Sequence, residues 1–277
     1  MTTKQTLVSQ GVSRPVATKP SVLPDIGQFV VLMAVLGYLF YHSANDLGYN
    51  WQWYQVGKYL YSFNEEGFQA GPLLEGLWIT LWISGISMFF ALVIGMLTAF
   101  MRLSKAPVAR LFARFYLEAT RNTPLLIQIF FIYFVLGPVL GLDRFPSAIL
   151  ALSLFEGAYV SEIIRSGILS VSSGQREAGF SLGLGTPLTY RLIILPQAIR
   201  NTLPPLTNQA ISLIKDSALV STIAIFDLTM QAQRIIAETF LTFEIWFTIA
   251  LMYLLINLSL SFAVYYMERR QQSFGRY

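Results

Sequence analysis

"LLEGLWITLWISGISMFFALVIGMLTAFM", residues 73–101, holds one charged side chain, Glu75, in an otherwise apolar or small-polar run. A helix needs about 20 such residues to cross the hydrocarbon core of a bilayer, so this stretch reads as a membrane span. The whole chain has the matching composition: 277 residues, 55% hydrophobic, only 12% charged, mean hydropathy +0.56. Soluble domains carry about a quarter charged residues, so the deficit points to an all-α membrane protein with several spans. Further runs lie at residues 26–44, 124–142, 146–164, 203–223 and 244–267, about six spans in total.

Outside these runs the chain is polar or aromatic. Residues 1–25, rich in Thr, Ser, Pro and Lys, read as a disordered tail. The run that follows begins too late for a signal peptide and reads as a retained helix. With the Trp- and Tyr-rich loop 45–72, suited to the headgroup belt, it forms a unit over residues 26–72. A membrane domain at 73–270 and a short tail at 271–277 complete the division. The absence of cysteine excludes a disulfide framework, a thiolate metal site and a cysteine nucleophile. The one histidine, His42, ends an apolar run and reads as interfacial.

Lys and Arg set the orientation. The tail carries Lys4, Arg14 and Lys19, and segment 102–121 carries Arg102, Lys105, Arg110, Arg114 and Arg121. Segment 165–200 adds Arg165, Arg176, Arg191 and Arg200, and the C-terminus Arg269, Arg270 and Arg276. Six spans place all these segments on one side, the cytoplasm, with both termini. The net charge of +4 is then a topological bias and no sign of nucleic acid.

One cytoplasmic segment has structure of its own, "SSGQREAGFSLGLGTPLTYRLIILPQ", Ser172 to Gln197. Ser172 with Gln175 three residues on fits a capping box, Gly183 and Gly185 fit a left-handed stop, and Thr186-Pro187 fits a new helix start. Local signals give a short helix, a glycine break and a second helix ending at Pro196. Ala178, Gly179 and Ser181 leave little bulk around Phe180 and Leu182, so the first helix can enter a partner's groove.

Within the spans, polar groups are expensive and need a partner or a cavity. Glu156 sits mid-span, with Ser153 and Tyr159 three residues to either side. Asn208, Ser212 and Lys215 recur at helical spacing, with Asp216 adjoining. A carboxylate suits an ammonium, and a lysine or amide suits a carboxylate, so Glu156 and the Asn208–Lys215 stripe are candidate walls of a path for a zwitterion. Gln128, four residues after Pro124, either faces that path or makes an interhelical hydrogen bond. Glu162 and Arg165, three apart, read as an interfacial ion pair.

Glu177-Ala178-Gly179, then Gly183, then Ile194-Leu195-Pro196, resembles the EAA loop of ABC-importer permeases. "RNTPLLIQ" (121–128), "GAYVSEIIRSGI" (157–168), "LPQAIRNTLPPLTNQ" (195–209) and "LIKDSALVSTIAIFDL" (213–228) are similar to polar amino acid permeases of the histidine/glutamine/glutamate group. "LFEGAYVSEIIRSGI" is most similar to the acidic branch. The resemblance implies a five-helix type I importer core plus an extra N-terminal span, in the bacterial inner membrane. The segment carrying Glu177, Ala178, Gly179, Gly183 and Pro196 would be the coupling helix docking on the ATPase. It further implies two ATP-binding subunits, a second identical or sister permease, an extracytoplasmic binding protein and an acidic or neutral polar amino acid as cargo, with basic amino acids as the alternative. ATP and Mg would sit on the partner ATPase, with no cofactor in this chain. "SSGQRE" partly mimics the signature motif of ABC ATPases, but the chain has no G-x4-G-K-[ST] phosphate loop; its Gly57-Lys58 is followed by Tyr59. A self-sufficient secondary transporter or channel is the reading from another class; inverted repeats, its usual pointer, are not evident. An intramembrane enzyme lacks an H-E-x-x-H or a serine/histidine pairing.

Overall fold

The computed structural model describes residues 22–46, 48–64 and 67–274. The readings for residues 1–21 and 275–277 lie outside them. The chain divides into two compact units, Met1–Trp51 and Gln52–Tyr277. In the first, helix α1 spans Val22–Asp46, so residues 22–25, assigned above to the tail, are helical. Its apolar part is Ile26–Leu39.

The second unit opens with two one-turn helices, Trp53–Gln55 and Gly57–Leu60. A hairpin follows, β1 Tyr61–Asn64 against β2 Gly67–Ala70, with Tyr61 opposite Ala70. Then come α2 (Pro72–Leu103), α3 (Pro107–Arg121), α4 (Leu125–Leu140) and α5 (Arg144–Leu169). The short α6 (Ser173–Ser181) leads into α7, residues 186–216, which closes in a 3-10 segment at Ser217–Ile223. Helices α8 (Leu228–Thr239) and α9 (Thr242–Phe274) end the fold.

Helices α2 and α5 pack along most of their length through small residues. Ser84, Ser87, Ala91, Gly95 and Ala99 are buried on α2; Ser147, Ala148, Ala151, Gly157 and Ala158 are buried on α5. The bulky side chains of α2, Trp78, Trp82, Phe89, Phe90 and Phe100, point outward. This inversion of the soluble pattern belongs in lipid, where tails are as apolar as leucine and helices associate by close backbone approach. A Cβ on Gly95 would lie 2.5 Å from Val160 Cγ1, and one on Gly157 would lie 3.0 Å from Ile94 Cγ2 and from the Tyr116 hydroxyl. A core of Ile83, Ile129, Leu152, Leu213 and Val220 fills the space among α2, α4, α5 and α7. A second core, of Leu73, Leu228, Ile235 and Ile245, ties α8 and α9 to the start of α2.

By length and composition alone, fewer than six spans qualify. Among the described residues three helices qualify, Pro72–Leu103, Arg144–Leu169 and Thr242–Tyr266. A fourth is α3 with α4, bent by 107°. Residues 203–223 form a helix, but Asn208, Gln209, Lys215 and Asp216 dilute its apolar character. Segment 102–121, counted above among the basic cytoplasmic segments, is largely the helix α3. The C-terminal tail begins later than residue 271, because α9 runs to Phe274.

Two helices contain π turns, Phe131–Leu136 in α4 and Tyr190–Ile194 in α7, and each precedes a proline by two residues, Pro138 and Pro196. Proline lacks an N–H, and its ring crowds the carbonyl four residues back; a widened turn relieves both problems. The helix predicted to end at Pro196 therefore runs on to Asp216.

Candidate functional site

Helix α6 stands out from the bundle. Ser172 is its N-cap, but the Ser172 side chain makes no capping hydrogen bond; the Gln175 N–H donates to the Ser172 carbonyl instead, at 3.1 Å. The capping box is not formed, and the Gln175 side chain instead accepts from Gln197 Nε2 at 3.4 Å. Gly183 adopts φ +76°, the left-handed stop. Its N–H donates to Phe180 O, and the Leu184 N–H donates to Gly179 O. Gly185 has φ −68° and is the N-cap of α7, one residue before the predicted Thr186.

Gly179 is the one buried residue of α6. A Cβ there would lie 2.7 Å from Thr189 Cγ2 and 3.0 Å from Ile193 Cδ1. One small residue thus seats the helix on the first turns of α7, and a turn of widened π helix supplies Ile193. Glu177 and Ala178 remain exposed, as do Phe180 and Leu182, the last at 77%. A short helix held from one side, with acidic, small and apolar groups on the other, has the shape of a docking element.

The interior polar residues are arranged differently. Glu156 is fully buried between α5 and α7, where Oε2 accepts a hydrogen bond from Gln209 Nε2. Its Oε1 is buried and has no hydrogen-bond donor. The Asp216 carboxyl lies within electrostatic reach of it. Gln209 and Asp216 are seven residues apart and share one face of α7. Asn208 and Lys215 are one position round, about 100° away, and exposed; Ser212 is half-buried. The structure does not bring Glu156 onto the Asn208–Lys215 stripe. It brings Glu156 onto Gln209 and Asp216. Local spacing could not find Gln209, because its partner sits on a different helix.

Gln128 spans a bend. Its Nε2 donates to Thr120 O at 2.7 Å and to Thr123 O at 2.9 Å, satisfying carbonyls where α3 breaks into α4. Of the two readings above, its amide makes the interhelical bond. Beside it, Ala119, Thr120, Ile127, Phe131 and Leu154 border a cavity of about 420 Å³.

Glu162 pairs with Arg165 as expected, at 3.1 Å, and also with Arg102, which spacing could not reveal because it comes from the end of α2. Arg121 lies over the Tyr159 ring, 5.6 Å from its centroid. The Tyr116 hydroxyl donates to Leu154 O at 2.5 Å. Basic and aromatic groups of α3 thus fasten that helix to α5.

Residues 91–273 match the family described as binding-protein-dependent transport system inner membrane component. The chain is 43% identical over 203 residues to the glutamine transport system permease protein GlnP of Escherichia coli K12, covering 72% of this chain and 93% of that protein. It is 41% identical over 202 residues to the L-cystine transport system permease protein TcyB of Bacillus subtilis, covering 72% and 86%. Among solved structures, an amino acid ABC transporter crystallised with histidines superimposes with a TM-score of 0.68 at 38% identity, over 72% of this chain and 94% of that one. An inward-facing MetNI methionine transporter shares the fold, with a TM-score of 0.61 at 19% identity over 72% and 95%.

Proposed function

The chain belongs to the family of binding-protein-dependent transport system inner membrane components, and from that premise we propose that it passes a polar L-amino acid through the membrane by alternating access. It is a membrane-embedded permease subunit of a type I ABC importer, with ATP hydrolysis on a separate subunit. In this reading α6 is the coupling helix, and Glu177, Ala178, Gly179, Gly183 and Pro196 mark the surface and hinge that receive the motor. The observation that carries it is a nine-residue helix in which Gly179 alone is buried and Arg176 alone is half-buried, the other seven residues being exposed. Two ATP-binding subunits, a second permease and an extracytoplasmic binding protein complete the assembly. The basic segments and both termini face the cytoplasm, and α4, α7 and α1 bring the crossings to six.

Motor and membrane domain are linked thermodynamically. ATP binding shifts the permease between inward- and outward-open states only by the difference in contact free energy that α6 makes in the two states. Equal contact in both would shift nothing, however tight. Glu177→Lys reverses a charge on the free face of α6 and leaves Gly179 seated. Capture of the tagged chain from its native membrane should bring down an ATP-binding subunit, and Glu177→Lys should lose it without loss of the chain from the membrane. Recovery of the chain alone, with solute flux when it is reconstituted alone, would replace this reading with a secondary transporter.

For cargo we infer a neutral polar amino acid ahead of an acidic one, since the two relatives above that are more than 40% identical are named for glutamine and L-cystine transport. Glu156 Oε1, buried without a donor, offers an acceptor for an α-ammonium when the α5–α7 seam opens. Asn208, Ser212 and Lys215 offer amide, hydroxyl and cationic groups for a carboxylate, and Gln128 borders the cavity at the α3–α4 bend. Competition in proteoliposomes should rank glutamine above glutamate and both above arginine. Stronger inhibition by histidine or arginine would assign a basic cargo. Unchanged transport in both Glu156→Gln and Lys215→Met would remove these residues from the path.

A further inference from the structure

Helix α3 carries three faces: one is buried in the bundle, one is apolar and exposed, and of the basic one only Arg121 packs within the chain, over Tyr159. Ala113, Leu117 and Thr120 are buried against the bundle. Val108, Leu111, Phe112 and Phe115, at helical spacing, are exposed at 62%, 67%, 64% and 72%. Arg110, Arg114 and Arg121 form a third, basic stripe beyond them. An apolar strip flanked by arginines, at low net hydrophobicity, is the pattern of a helix lying in a membrane interface. Its axis turns by 107° into α4, so the two halves cannot both run along the bilayer normal.

The charges near it do not balance. Glu162 is taken by Arg102 and Arg165, and Glu118 accepts from Asn122 Nδ2 at 2.9 Å. Arg102 also feels Arg165, Arg114 and Arg121 as like-charged neighbours. Among the described residues neither Arg110 nor Arg114 meets a carboxylate; Arg110 Nη2 makes only a long contact, 3.4 Å, to the Lys105 carbonyl. The two guanidinium groups, four residues apart, line a recess of about 220 Å³ with Pro107 and Leu111. Its wall is cationic on one side and apolar on the other, and the apolar side continues into the exposed strip.

We propose that α3 lies in the plane of a membrane surface and that Arg110 and Arg114 hold the phosphate of an anionic phospholipid, whose acyl chains run along Leu111 and Phe115. Guanidinium groups match phosphate oxygens with paired N–H donors, and the neighbouring apolar strip selects a lipid over a soluble anion.

The test uses the full chain, purified in mild detergent and offered equal phosphatidylglycerol and phosphatidylcholine, with retained lipid read by native mass spectrometry. Phosphatidylglycerol should be retained preferentially. Arg110→Gln or Arg114→Gln should each weaken that retention about fivefold, while Arg234→Gln, on a remote exposed pair, should leave it unchanged. Millimolar inorganic phosphate should not displace the lipid. Equal retention of both lipids by the unmodified chain would overturn the proposal. So would loss of retention equal to that of Arg234→Gln, displacement by phosphate, which would make the recess an anion site, or burial of α3 under a protein subunit in the purified assembly.

Discussion

The α2–α5 seam and helix α6 both depend on glycine, to opposite ends. In the seam, Gly95 and Gly157 let two long helices close over each other. In α6, Gly179 seats a short helix and leaves most of it uncovered. The contrast separates where the fold is held from where it is driven. Substitutions in the seam should cost stability first, and substitutions on α6 should cost transport while the chain stays folded.

Gly95→Leu should have the largest effect on the fold, since its side chain must displace Val160 and the Gly157 carbonyl. Overpacking of this kind costs about 1–3 kcal/mol or more, seen as a lower thermal midpoint in detergent and less chain in the membrane. Glu156→Leu comes next. It strands Gln209 Nε2 in the α5–α7 seam, at about 1–3 kcal/mol for an unpaired buried donor, and Glu156→Gln should recover part of that midpoint. Asp227→Ala removes the cap whose carboxylate accepts from the Met230 N–H at 2.9 Å, for about 1 kcal/mol. Gly179→Ala is milder, because Thr189 Cγ2 and Ile193 Cδ1 are side-chain ends that can move. Glu177→Lys should leave the midpoint unchanged and abolish transport. If it melted the chain as far as Gly95→Leu does, the distinction between the two regions would fail.

The long spans were legible because apolar runs of sufficient length have few other uses. Segment 73–101 and the start of α5 needed no tertiary information. Gly183 was legible too, since a left-handed stop is a local demand of the backbone. Three features were not. Pro196 reads as a helix end by local rule, yet the π turn at Tyr190–Ile194 absorbs it. Segment 102–121 shows in the sequence only as a run of basic residues, whereas its charges and its aromatics separate by angle once it is wound into a helix. The partners of Glu156 and Glu162, Gln209 and Arg102, lie on other helices, so their pairing is fixed by the relative register of two packed helices. Gln175 shows the reverse case, where a plausible local cap gives way to a contact with Gln197 on α7.

The chain has no cysteine, so a single Ala178→Cys places one thiol on the free face of α6. In inside-out membrane vesicles holding the whole assembly, a short bifunctional reagent should join this thiol to an ATP-binding subunit, with a yield that changes on adding ATP. A cysteine at Thr242, at the start of α9, should give no such product. Absence of a crosslink from position 178 in an assembly that still transports would contradict α6 as the coupling element.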